Sequence, residues 1–260
     1  MKKFLLAFTC FALFSLTSFA AENPWVGNWK LDVSKSHFTG DTFSYSKAAN
    51  GMMHYSDGST ISFDFGVDGK EYKSEFDRTT AWTGHGENAW DTVTKAKGIT
   101  LYQSHYQISP DSKTLTIQTT GTKPDGSTFN DEAIYTRVTG TTGPVGKWRS
   151  TKVTISAPDA FHISSPSPGV LHWDIPSYKE SVEGKPDGSD LTVTGPTVPP
   201  SLTIAFKSVS PTKMSYVLKD NGKPIGYGTQ TLTAGGKSYT DVSWNPGKEN
   251  EKQTGFYTKE

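Results

Sequence analysis

Apolar and polar residues alternate with a period of two along most of this chain. In GNWKLD (27–32) Gly27, Trp29 and Leu31 share one face, and Asn28, Lys30 and Asp32 share the other. KTLTIQT sets Leu115 and Ile117 against Thr114, Thr116 and Gln118, and SLTIAFK repeats the pattern with Leu202, Ile204 and Phe206. Such alternation marks antiparallel strands that are wet on one side. Asp57-Gly58, Asp68-Gly69, Asp125-Gly126, Asp187-Gly188 and Asn221-Gly222 punctuate these strands as hairpin turns would. No long segment carries a helical period. The pattern predicts about eight or nine short strands in each half of the chain, a number that suits a barrel or sandwich.

The two halves echo one another. GNWK (27–30) returns as GKWR (146–149), GMMHYSDG (51–58) as GVLHWD (169–174), and VDGKEY (67–72) as PDGSDL (186–191). ISPDSKTLTI (108–117) resembles LTAGGKSYTDV (232–242), and AIYTRV (133–138) resembles GFYTKE (255–260). These pairs keep their order at a nearly constant offset, which is the signature of a tandem duplication. With a leader over 1–20, the expected domains are 21–140 and 141–260. The join, TGTTGP (139–144), is short and turn-forming.

The leader has the parts of a secretory signal. Lys2 and Lys3 precede an apolar run from Phe4 to Leu16, and Ser18-Phe19-Ala20 predicts cleavage after Ala20, hence a periplasmic or secreted protein. That run is short for a membrane span, and nothing later approaches one. Cys10, the only cysteine, leaves with the leader, so an ordinary core must hold the exported chain together and thiol catalysis is excluded. Of 26 basic residues Lys2 and Lys3 are lost with the leader, leaving a formal charge of −2 against 26 acidic ones. A near-neutral chain argues against nucleic-acid partners and against a polybasic membrane anchor.

NPWVGNWKLDVSKSHF (23–38), with the later DGK element and a closing Tyr-x-Arg/Lys strand, resembles a group of small exported bacterial proteins of uncharacterised function. More broadly, Gly-x-Trp in a first strand resembles the lipocalin and fatty-acid-binding (calycin) barrels. The resemblance implies two tandem calycin-like antiparallel barrels, an all-β fold, in which each first-strand tryptophan plugs one end under a cation from the last strand. Carried across, Trp29 pairs with Arg137 and Trp148 with Lys259, and any ligand enters at the end away from these plugs. A cation over an indole contributes about 0.5–2 kcal/mol.

Candidate chemistry is sparse. His54 and His172 occupy matching positions, but Met53 and Tyr55, like Leu171 and Trp173, form the apolar face, so both imidazoles are expected to point outward. GHGEN (84–88) offers His85 and Glu87 without the third and fourth ligands that zinc requires, and His37, His105 and His162 stand alone. AGGKS (234–238) lacks the earlier glycine of a phosphate loop and reads as a hairpin turn. No Gly-x-Ser-x-Gly elbow occurs. Neither a metal nor a cofactor is implied. Trp25, Trp82, Trp90, Trp173 and Trp244 exceed what two plugs need and suit either a cavity wall or cross-strand packing. The leading expectation is a non-enzymatic protein holding a small hydrophobic ligand. A structural or protein-interaction module with packed barrels is second, and an enzyme without a recognisable motif third. From the spacing of Gly84 to Lys113 against Gly195 to Lys237, an extra hairpin and a more regular barrel are expected in the second half.

Overall fold

The structure is a computed structural model that describes residues 23–260; the leader and its cleavage site lie outside the described residues. Strands β1 (Gly27–Leu31), β2 (Thr42–Lys47), β3 (Met53–Ser56), β4 (Ser62–Phe65) and β5 (Asp68–Lys73) come first. They are followed by β6 (Arg78–Gly84), β7 (Ala89–Ala96), β8 (Ile99–Ile108), β9 (Thr114–Thr122) and β10 (Thr128–Arg137). Beyond the join run β11 (Gly146–Thr154), β12 (Ala160–Ser167), β13 (Val170–Ile175), β14 (Glu180–Gly184) and β15 (Leu191–Thr192). The chain ends with β16 (Leu202–Ser210), β17 (Lys213–Asp220), β18 (Lys223–Leu232), β19 (Ser238–Trp244) and β20 (Gln253–Lys259). The only helical pieces among the described residues are two three-residue turns, Val33–Lys35 and Ala49–Gly51.

These strands form two nearly closed antiparallel barrels of ten strands each, so the fold is all-β. Barrel one runs in the order β4-β3-β2-β11-β10-β9-β8-β7-β6-β5, and barrel two in the order β14-β13-β12-β1-β20-β19-β18-β17-β16-β15. Each barrel therefore completes itself with a strand that its own half of the sequence does not contain. Barrel one is the continuous stretch Thr42–Thr154, whereas barrel two joins Ala160–Lys259 to Gly27–Leu31 from the start of the chain. The expected boundaries at 140 and 141 thus fall inside barrel one, and the first strand of each half belongs to the other barrel.

The exchange follows from chain connectivity. The eight positions between Arg137 and Gly146 let β10 and β11 fold back on each other as a hairpin, with Arg137 opposite Trp148. Pairing β10 with β1 would mean closing a loop of nearly the whole first half, and loop-closure entropy rises with length. Sequential strands usually pair for this reason. With β11 taken by barrel one, β1 is left to bridge β20 and β12, where Trp29 lies opposite both Lys259 and Phe161.

Both barrels have the same seam. β4 and β5 run side by side without a ladder, as do β14 and β15, although Ser181 and Thr194 pair across the second seam. Ten strands rather than eight or nine arise because β5 is polar on both faces and β15 has two residues, so neither shows clear alternation. Equal strand counts also overturn the expected extra hairpin in the second half. Gly84 ends β6, but Gly195 precedes β16, so the two glycines are not equivalent markers. Asn221 and Gly222, with φ of 49° and 74°, make the tight β17–β18 turn, whereas Asp68-Gly69 forms an irregularity at the start of β5 rather than a hairpin.

The two cores are separate. Trp148, Leu115, Ile108, Phe65, Trp82 and Trp90 belong to barrel one, and Trp29, Trp25, Ile163, Trp173, Phe206 and Met214 to barrel two. Polar tethers join the barrels. The Lys248 ammonium donates to the Thr42 carbonyl at 2.7 Å and pairs with Glu251 at 2.6 Å, and Lys123 donates to Ala157 and Asp159 at 2.8 and 2.6 Å.

This connectivity predicts that residues 41–154, expressed alone, form a monomeric barrel with a cooperative thermal transition and native near-ultraviolet circular dichroism. Residues 22–140, the first half as written in the sequence, lack β11 and should be unfolded or associated. Two equally well-folded monomers would contradict the exchange.

Candidate ligand cavity in barrel one

The repeated tryptophans are the most deeply buried large side chains in their barrels. Trp29 and Trp148 are fully buried, and each indole N–H donates at 2.9 Å to the carbonyl four residues earlier, that of Trp25 or Pro144. The glycine two positions before each is required. Gly27 has φ of 147°, and a Cβ there would collide with Lys259; Gly146 has φ of 135°, and a Cβ would strike the Thr139 carbonyl. The cations are exchanged relative to expectation, because the strands are exchanged. Arg137 lies over Trp148 at 4.0 Å and Lys259 over Trp29 at 5.3 Å. Arg137 also donates to the carbonyls of Ser112, Val145 and Gly143, tying the join to the barrel end, while burial lowers its pKa.

Beside this plug barrel one holds a cavity of 730 Å³. Its inner wall is aromatic, made by Tyr45, Phe65, Trp82 and Trp90, with Met53 beyond them. Its rim is formed by Lys47, Val67, Glu87 and the join from Gly140 to Val145. Strand direction explains the company: β2, β4, β6 and β10 end at this side, and β3, β5, β7 and β11 begin here. The cavity therefore opens at the plugged end, which corrects the expectation of a ligand entrance at the far end. Trp148, with Arg137 of β10 over its ring, does not line the cavity, whose walls come from β2, β3, β4, β6 and β7 with the join.

The wall is built from mutually supporting rings. Phe65 stacks on Trp82 at 4.1 Å and Tyr106 on Trp90 at 5.0 Å, while Tyr45 stands edge-on to both indoles at 6.1 Å. Burial pushes the Tyr45, Tyr55 and Tyr106 phenols above their ordinary range, so they remain neutral donors. Behind Tyr45 and Trp82 lies a smaller, more polar chamber of 230 Å³ lined by Thr80, Thr92, Thr94, Tyr102 and the Glu75 carboxylate.

Barrel two is more nearly filled. Its interior cavity measures 260 Å³, with Trp173, Phe206 and Tyr239 in the wall. Tyr216 and Gln230 donate to the two oxygens of Asp241 at 2.9 and 2.8 Å, yet burial raises that carboxyl above its ordinary 3.8. Of the remaining tryptophans, Trp25 is a core residue donating to the Pro211 carbonyl, and Trp244 lies between the barrels with Lys252 over it.

The histidines stand outside. His54 meets Asp64 at 2.6 Å and His172 meets Glu183 at 3.1 Å, each across neighbouring strands on the outer face, and neither lines a barrel cavity. His85 and His105 share Asp91, one on each oxygen at 2.7 Å, and hold it below the usual carboxylate range. His105 thus has a partner that sequence spacing did not suggest, although β7 and β8 pair Asp91 with His105 directly. Glu87 lies instead on the cavity rim. Among the described residues no group of three or more His, Cys, Asp or Glu side chains is arranged to hold a metal. AGGKS is the turn between β18 and β19, where Gly236 donates to the Thr233 carbonyl. No helix of the described residues is long and apolar enough to cross a membrane. Comparison with family models, curated proteins and solved structures finds no match.

Asp241 makes a pH prediction. Its folded pKa is raised, so its contribution to stability is fully present below 3.8 and is lost as pH rises through the folded value. Melting temperatures of the wild type and Asp241→Asn should therefore diverge as pH rises above 3.8, with the variant gaining on the wild type. Parallel curves would contradict this assignment.

Proposed function

We propose that this chain is a non-enzymatic, exported binding protein that holds one small, largely apolar molecule in barrel one. The observation that carries the reading is the 730 Å³ aromatic-walled cavity, a size within the ~300–1,000 Å³ of small-molecule sites. A barrel of this kind can either fill with side chains or enclose a ligand. Barrel one has space, whereas the 260 Å³ interior of barrel two favours a largely packed role for that half. The only formally charged side chains lining the main cavity are Lys47 and Glu87, both exposed at its rim. An acid–base or nucleophilic pair at depth would favour an enzyme; the wall of the main cavity is aromatic, and the one carboxylate of the chamber behind it, Glu75, is paired with Arg78 at 3.9 Å. The calycin-like resemblance and the leader at 1–20 belong to the same proposal: a barrel-borne ligand handled outside the cytoplasm.

Two measurements test it. Native mass spectrometry of protein from its own source should show a co-purified small molecule, and an apolar fluorescent probe should accept energy from the Trp82 and Trp90 indoles. Met53→Trp, which fills the cavity from β3, should weaken probe binding at least tenfold with little change in melting temperature. An apo mass together with no probe binding would overturn the reading.

A further inference from the structure

The chamber behind Tyr45 and Trp82 differs in kind from the main cavity. Seven aromatic rings wall it, among them Tyr55, Phe63, Phe76 and Tyr106, and Glu75 is the one charged side chain in its lining. Trp90 stacks on Tyr106 and Phe65 on Trp82, so residues of the main-cavity wall hold these rings from behind. The hydroxyls of the lining bond one another or their neighbours: Thr80 meets both Ser74 and Thr94 at 3.1 Å. What the chamber presents to an occupant is therefore aromatic surface and one carboxylate.

Glu75 stands at the β5–β6 turn, where Arg78 donates its backbone N–H to the Glu75 carbonyl at 3.1 Å. The turn is strained: Phe76 and Asp77 take left-handed φ of 55° and 58°, a region that bulky side chains avoid. Phe76 stands between the chamber and the groove against Trp244 of barrel two, bordering both. The Glu75 side chain is only 20% exposed, and no hydrogen bond reaches its carboxylate among the described residues. Its ion-pair partner, Arg78, is held at 3.9 Å and lies over the Phe76 ring. Arg78 borders the neighbouring inter-barrel cavity rather than the chamber. Burial, and then the Glu75 charge, push the Tyr102 phenol up, which puts that charge close to the ring wall. A largely buried carboxylate with so distant a partner leaves room for a second cation.

We propose that this chamber is a second binding site, separate from the main cavity, and that it takes a small alkylated ammonium ion. Aromatic faces attract such a cation through their quadrupoles, most strongly where water is excluded. Methyl groups on the nitrogen suit the lining better than N–H donors, because the Thr80 and Thr94 hydroxyls already have each other. The space of 230 Å³ holds an ion of a few heavy atoms. It faces barrel two through Phe76 and Tyr102, so the occupant is a free ion and not a headgroup still held in a bilayer.

The test uses the full chain with choline and its neutral carbon isostere, 3,3-dimethylbutan-1-ol, read by calorimetry and by the proton resonance of the ligand methyls. Choline should bind at least tenfold tighter than the isostere, with its methyl resonance moved upfield by the rings. Glu75→Gln should weaken choline about tenfold and the isostere about twofold or less. Met53→Trp, which fills only the main cavity, should leave choline binding unchanged, and phosphatidylcholine vesicles should not compete. Equal affinity for choline and isostere, or unaltered choline binding in a folded Glu75→Gln, would overturn the site. Loss of choline binding in Met53→Trp would overturn it as well, by placing the ion in the main cavity, and displacement by vesicles would overturn the free ion. The apolar probe of the main cavity is separate, so these failures leave the binding reading standing. The wild-type comparison of choline with its isostere stays decisive even where Glu75→Gln does not fold.

Discussion

A meander barrel is complete only when its first strand hydrogen-bonds to its last, and in this chain the partner for each closure comes from the neighbouring half. The β10–β11 hairpin makes that choice. Once Arg137 lies opposite Trp148, barrel one is closed within a continuous stretch, and barrel two must draw its last member from the start of the chain. The plug geometry follows, because each tryptophan receives the cation that its new neighbour supplies. The position of the join follows as well. Arg137 gathers the carbonyls of Gly143 and Val145, and the loop so held becomes the rim of the cavity.

The two barrels have unequal interiors despite their common strand order. Barrel one is local in sequence and keeps an open, aromatic chamber. Barrel two depends on β1 and packs Trp25 and Trp29 against Tyr239, with a buried Tyr216–Asp241–Gln230 network in place of open space. The tethers at Lys123 and Lys248 hold the two together at their facing turns. Largely buried ion pairs of this kind, backed by carbonyl acceptors, have clearer geometric than energetic consequences.

Much of this was legible in the residues, and the failures have physical causes. Alternation identified the strands and correctly turned Tyr55 inward and His54 outward, because side-chain direction is a local property. Gly-x-Trp written twice pointed to the two most buried indoles. Their partners were misassigned because pairing is not local: the resemblance implied that Trp29 belongs with Arg137, while the eight-position join, a visible cue, made β10–β11 the closer pair. β5 and β15 escaped notice since a strand polar on both faces or two residues long has no pattern to read. The cavity was illegible for a further reason. Alternation says which side chains face inward, but whether they fill the interior depends on how ten strands set the barrel's width. Trp82 and Trp90 stood out only as surplus aromatics, and nothing in their spacing revealed the space beside them.

Barrel one encloses accessible apolar space while barrel two is largely packed. Xenon binds dry apolar cavities without needing any particular chemistry of the ligand. Diffraction from crystals held under xenon pressure would therefore test the claim directly. The prediction is xenon density against Phe65, Trp82 and Trp90 in barrel one, at higher occupancy than any site beside Trp173. Density confined to barrel two, or none in barrel one, would contradict it.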